Sequence, residues 1–254
     1  MSSLGWIITA SLAGGIISAL AASVALVLRT SWIPTLVSFA IGALLGASFL
    51  EVIPHAFEHG EPHTVAGSIL GGILAFFLME KLLLWRHSHE HDEPPAAFHG
   101  HDHGRSGALI VVGDTIHNFL DGILIAAAFL QSTQLGIVTA LAIVAHEIPQ
   151  EVGDFLILLH SGYSRTKAFL LNVLSSGATL VGGVLGYYAL QVLDEWTPML
   201  LGVVAASMIY VAVADLIPGL HRRPELRATV SQSVLIALGI LSIALVRMAL
   251  GDLH

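Results

Sequence analysis

Long apolar runs separated by short polar breaks organise the whole chain. The first, Trp6 to Leu28, is 23 residues without one ionisable group. About 20 such residues cross a bilayer core as a helix. The pattern repeats and predicts eight helices, over about 6–28, 32–54, 65–85, 108–130, 135–159, 168–190, 198–217 and 230–250. The breaks carry turn or charge signals such as His59-Gly-Glu-Pro62, Ser161 to Arg165 and His221-Arg-Arg-Pro224. The first run lacks a basic leader and is too long for a signal peptide, so it reads as a retained helix. The fold class expected is an all-α polytopic membrane protein, one transmembrane domain over 1–254.

Composition agrees, with 55% hydrophobic and 11% charged residues among 254, where soluble domains carry about 25% charged. Lysine and arginine set the orientation. With the N-terminus outside, Arg29, Lys81, Arg86, Arg105, Arg165, Lys167, Arg222, Arg223 and Arg227 fall on the inner side. Of the ten basic residues, Arg247 alone does not. Both termini are therefore expected on the non-cytoplasmic face of a cell or inner membrane. Glu51, His55, Glu58, His59, Glu61 and His63 then form an acidic, histidine-bearing outer mouth. With the net charge of −8, it attracts cations; an ordinary solvated loop is the plainer alternative.

The break at 86–107 holds His87, His89, His91, His99, His101 and His103 around a Pro-Pro pair. On this topology it is a cytoplasmic histidine-rich loop, suited to loose zinc binding or to no more than a linker role. The chain has no cysteine. Any metal ligands are therefore nitrogen and oxygen, which suits zinc, iron(II) or manganese better than copper(I).

The fourth and fifth runs are polar where the others are not. Asp114, His117, Asn118 and Asp121 recur at three and four residues, as one helix face requires. His146 pairs with Gln150 and Glu147 with Glu151 at four, and Asp154 extends the second stripe. Only a short break joins the two helices, so they are antiparallel neighbours. Asp121 and His146 are each about 17–20 Å of helix from that break, near the bilayer midplane. An acidic residue at that depth costs about 2.5–3.5 kcal/mol on insertion scales, so such residues carry function. No lysine or arginine lies between Ala108 and Leu159, which disfavours an ion-pair network and favours bound cations. Pro149 withholds a donor from the Ala145 carbonyl, which is tolerated where the freed group lines a cavity.

HNFLDG at 117–122 and HEIPQEVGD at 146–154 resemble the two signature motifs of the ZIP (Zrt-, Irt-like protein) divalent metal transporters, in the subgroup with HNFxDG and HExPHExGD. GALLGASFLEVIPHAFE at 42–58, FFLMEKLL at 76–83 and KAFLLNVLSSGATLVGG at 167–183 are similar to that subgroup's second, third and sixth helices. The resemblance implies a transport site between helices four and five, with one or two metals. Its ligands would be His117, Asn118, Asp121, His146, Glu147 and Glu151, with Glu51 as an additional one. Gln150 departs from the pattern, standing where the subgroup has histidine, and its neutral amide is a weaker donor. Asp114, Asp154, His55, His59 and His63 are auxiliary or pathway candidates. The resemblance also implies that helices 1–3 and 6–8 are inverted repeats around 4–5. Glu51-Val-Ile-Pro54 and Asp215-Leu-Ile-Pro218, at the ends of the second and seventh runs, hint at the same.

The function expected is secondary transport of divalent metal into the cytoplasm by alternating access. Zinc leads, with iron(II), manganese and cadmium as further substrates. No enzymatic activity, organic cofactor or nucleic-acid partner is expected; the bilayer is the medium, and a homodimer is left open. The rival reading is an intramembrane metal hydrolase, which would need a second histidine where HEIPQ has Gln150. A metal sensor built on the 86–105 segment is a third, and it leaves the midplane stripes unexplained.

Overall fold

The computed structural model describes residues 1–25, 33–88, 103–192, 196–221 and 225–251. Among the described residues, eight helices are long and apolar enough to cross a membrane. They are α1 (Ser3–Ala25), α2 (Ile33–His59), α3 (Pro62–Ser88), α4 (His103–Gln131), α5 (Thr133–His160), α6 (Arg165–Leu190), α7 (Thr197–Leu220) and α8 (Leu226–Gly251). No strand occurs among the described residues. His89, His91, His99 and His101 lie outside them, and His87 and His103 fall at the ends of α3 and α4.

Local chemistry sets the helix ends. Ser132 accepts a hydrogen bond from the Leu135 N–H at 3.0 Å and starts α5 directly after α4. Ser164 does the same for α6 through the Lys167 N–H, as capping serines do. Between α5 and α6 the chain turns at Gly162, whose φ of +86° suits a residue without Cβ. Glu61 caps α3 through the N–H groups of His63 and Thr64 and the Thr64 hydroxyl. Those donors hold its carboxyl below the ordinary carboxylate value.

Two helices are not regular. α2 widens into a π-helical turn over Ser48–Val52, and α7 over Val211–Leu216; each runs straight into an Ile-Pro pair. A proline inside a helix lacks the N–H that the carbonyl four residues earlier needs. A widened turn is one way to place it. By contrast, α5 continues through Pro149 as one helix to His160.

The helices pack as two sets. α1, α4, α5 and α6 lie against one another; α2 lies on α8 and α3 on α7, and the contact of α2 with α5 joins the sets. α2 and α5 are the most buried, while α3 and α8 turn leucines such as Leu70, Leu74, Leu241 and Leu245 outward. An apolar periphery around an interior that shelters the chain's buried polar groups is the arrangement a bilayer requires.

Candidate metal centre

The stripes on α4 and α5 meet. His117 Nε2 lies 3.2 Å from His146 Nε2. Asp121 Oδ2 is 3.2 Å from His146 Nε2 and 3.5 Å from His117 Nε2. With Glu147 they form a quartet whose ligand atoms all lie within 4.8 Å of one another. His146, Asp121 and Glu147 are buried, while His117 is partly open. Asp121 Oδ2 and Glu147 Oε1 are buried and accept no hydrogen bond. Buried carboxylate oxygens without donors are costly. Two imidazoles and two carboxylates converging on one point are the donor set of a divalent transition metal.

A second polar layer adjoins the quartet. Asp114 Oδ1 accepts from the Asn118 amide at 3.0 Å and from the Gln150 amide at 3.1 Å. Asn118 Oδ1 accepts from the Thr179 hydroxyl at 3.1 Å. Glu151 Oε1 accepts from the Ser176 hydroxyl at 2.6 Å, its other oxygen has no partner, and Asn172 donates to its backbone carbonyl. Asn118, Gln150 and Glu151, expected as ligands, are thus engaged in hydrogen bonds with Asp114, Thr179 and Ser176. Asp114, expected as auxiliary, is the acceptor that joins two of them. The α6 partners Asn172, Ser176 and Thr179 did not emerge from the sequence. Their spacing of three and four places them on one face of α6, and that polar stripe was the available signal.

Because the Gln150 amide donates to Asp114, Gln150→Ala is expected to weaken half-maximal metal uptake by about tenfold or less, as changes to a ligand's supporting partners do. A loss as deep as that of His146→Ala would make Gln150 a direct ligand.

Glu51 lies elsewhere. Its Oε1 accepts from the Gln134 amide at 3.0 Å and its Oε2 faces Arg247 Nε at 3.0 Å. It lines a separate cavity of about 460 Å³ with His55, Glu58 and Thr133. His55, Glu58 and His59 there form a second close group of donor atoms, and exposed His63 lies beyond it, at the start of α3.

The quartet borders a cavity at His117. This cavity of about 440 Å³ reaches the quartet past His117 and Asp114, between Glu80, Asp154, Tyr210 and Asp215. Glu80, Asp154 and Asp215 lie toward the Ser88, His160 and Leu220 ends of α3, α5 and α7, and Tyr210 donates to Glu80 across α7 and α3. Toward the Ser132 end, α4 and α5 bury Leu124, Ile125, Phe129, Leu135, Val138 and Ala142, an apolar plug.

Eight apolar helices among the described residues, enclosing a group of donor atoms that could hold a metal ion, define the class of a multi-pass integral membrane protein. The model of the family described as ZIP Zinc transporter matches residues 1–108 and 85–247. The chain is 32% identical to "Zinc transporter ZIP4" of Mus musculus over 251 residues, covering 73% of this chain and 38% of that protein. It is 32% identical to "Zinc transporter ZIP13" of Pongo abelii, covering 83% and 65%. With "Zinc transporter YKE4" of Saccharomyces cerevisiae the figures are 31%, 72% and 60%. The chain thus spans less than two thirds of each of these relatives. It belongs to the ZIP family, whose members are transporters rather than enzymes.

Proposed function

We propose that this chain carries divalent metal ions, zinc foremost and iron(II), manganese and cadmium as further substrates, into the cytoplasm by alternating access. The observation that carries this reading is the quartet His117, Asp121, His146 and Glu147, bordered by a cavity at His117 and by buried, mostly apolar side chains toward Ser132. An ion enters from the mouth bearing Glu51, His55, His59 and His63, sheds water and is held at the quartet. It leaves through the cavity lined by Glu80, Asp154 and Asp215 toward the histidine-rich 86–107 segment. The carboxylates replace lost hydration and balance the ion's charge; Asp114, Asn118, Gln150 and Glu151 position the quartet and steady the ion beside it. Two charges moving into a compartment about 100 mV negative release roughly 4.6 kcal/mol, enough for inward flux without ATP.

The helix pairing supports inverted repeats. If α1, α2 and α3 correspond to α6, α7 and α8, then α2 on α8 mirrors α7 on α3. Likewise α1 on α5 mirrors α6 on α4, and the π-helical turns before Pro54 and Pro218 fall at matching places. The hydrolase alternative finds no support. Gln150 stands at the position of the second histidine and donates to Asp114.

The test is uptake into liposomes holding an internal metal dye, with zinc, iron(II), manganese and cadmium offered outside under an inside-negative potential. Accumulation that grows with the potential is expected. Tight metal binding by the protein with no accumulation of any ion would overturn the reading.

A further inference from the structure

We infer that Arg247 is a tethered cation closing the outer mouth, and that an incoming divalent ion must displace it from Glu51 to be captured there. The inference rests on the proposed entry route and adds a gate to it. Arg247 is the basic residue that breaks the inner-side rule, and its guanidinium pairs with Glu51 on α2. The Glu51 side chain is 9% exposed and that of Arg247 53%. The acid therefore forms the floor of the cavity and the arginine reaches over it from α8. Gln134 on α5 takes the other carboxylate oxygen. Glu51 thus joins both helix sets from within the π-helical turn of α2.

Beside Glu51 stand donors that suit a metal. His55 is one helical turn from Glu51 and stacks on His59 with ring centroids 4.4 Å apart. The donor atoms of His55, Glu58 and His59 lie within 4.8 Å of one another. A divalent ion on this group gains Glu51 as a further carboxylate only when the guanidinium leaves. Arginine suits the holding role, because its planar fork binds a carboxylate well and stays charged at any working pH. In the closed mouth a buried carboxylate is compensated by one charge. In the loaded mouth it is compensated by two, and the arginine swings to solvent, to which it is already half exposed. The apparent affinity of the mouth for metal is reduced by the fraction of time the latch is open.

The chain has no cysteine, so a single thiol reports on this cavity alone. Thr133→Cys places it on the exposed lining residue Thr133. The rate of its modification by a membrane-impermeant maleimide is measured against cadmium concentration in the full chain. Adding Arg247→Gln is expected to lower the half-protecting cadmium concentration roughly tenfold, the effect of a latch closed about nine-tenths of the time. Adding Glu51→Gln raises it, and the combined Glu51→Gln and Arg247→Gln variant matches Glu51→Gln, since the two residues act as one unit. An unchanged or raised concentration in Arg247→Gln overturns the inference and leaves Arg247 a simple tie between α8 and α2. Should that variant fail to fold, Arg247→Lys carries the test. Its weaker contact lowers the concentration roughly threefold, and no change overturns the inference. Loss of the effect with uptake intact removes the latch alone. Absence of uptake with the effect intact removes the transporter reading alone.

Discussion

Asp121→Asn is expected to lower metal uptake by at least about 100-fold, beyond the range of outer-layer changes, while leaving the metal-free protein as stable as before or more so. Asp121 Oδ2 sits between two imidazoles, 3.2 Å from His146 and 3.5 Å from His117, and accepts no hydrogen bond. Asparagine fills the same volume, so no cavity forms; what disappears is the negative charge on which the ion relies. Without metal that charge is a burden, because a buried carboxylate lacking a cation is costly. The two effects therefore separate. In thermal unfolding, the parent should gain about 2.7 kcal/mol at a zinc concentration one hundred times the dissociation constant, and the variant almost nothing. A variant that keeps both uptake and zinc-dependent stabilisation would remove Asp121 from the centre.

The eight helices were legible because a bilayer permits few ways to hide a backbone, and an uncharged run of two dozen residues leaves almost none. The meeting of Asp121 with His146 was legible for a related reason. Helical spacing gives the face, the short break at Ser132 gives the pairing, and equal distance from it gives the depth. Partners brought together by packing of distant helices were not legible. Glu51 resembled a ligand from its place in α2, yet its oxygens go to Gln134 of α5 and Arg247 of α8. No spacing rule links those three positions. The charge count had flagged Arg247 as an outlier, and its pairing with Glu51 gives the outlier a physical reason. Gln150 shows the same limit. Its departure from the motif was plain, whereas its attachment to Asp114 depends on how α4 and α5 are rotated about their axes.

The supporting role of α6 depends on how closely it approaches α4, and that approach is set by glycines. A Cβ built on Gly122 would lie 2.6 Å from the Gly183 nitrogen and 2.9 Å from the Thr179 carbonyl carbon, backbone atoms that cannot swing aside. One on Gly182 would lie 2.9 Å from the Phe119 carbonyl carbon. Small residues of this kind let membrane helices touch backbone to backbone. The contact has a chemical consequence, because Thr179 holds Asn118 and Ser176, on the same helix, holds Glu151. Gly122→Ala is expected to destabilise the protein by about 1–3 kcal/mol, the usual range for overpacking, and Gly122→Leu to prevent assembly of the fold. The control is Gly67→Ala on α3, where the added methyl meets nothing within 4 Å. There the gain in helix propensity, up to about 1 kcal/mol, should leave stability level or slightly raised. Thermal unfolding of the detergent-solubilised variants reads both. If Gly122→Ala unfolds at the parent's temperature and takes up metal at the parent's rate, α4 and α6 need no backbone contact, and α6 does not hold the ligand helices in register.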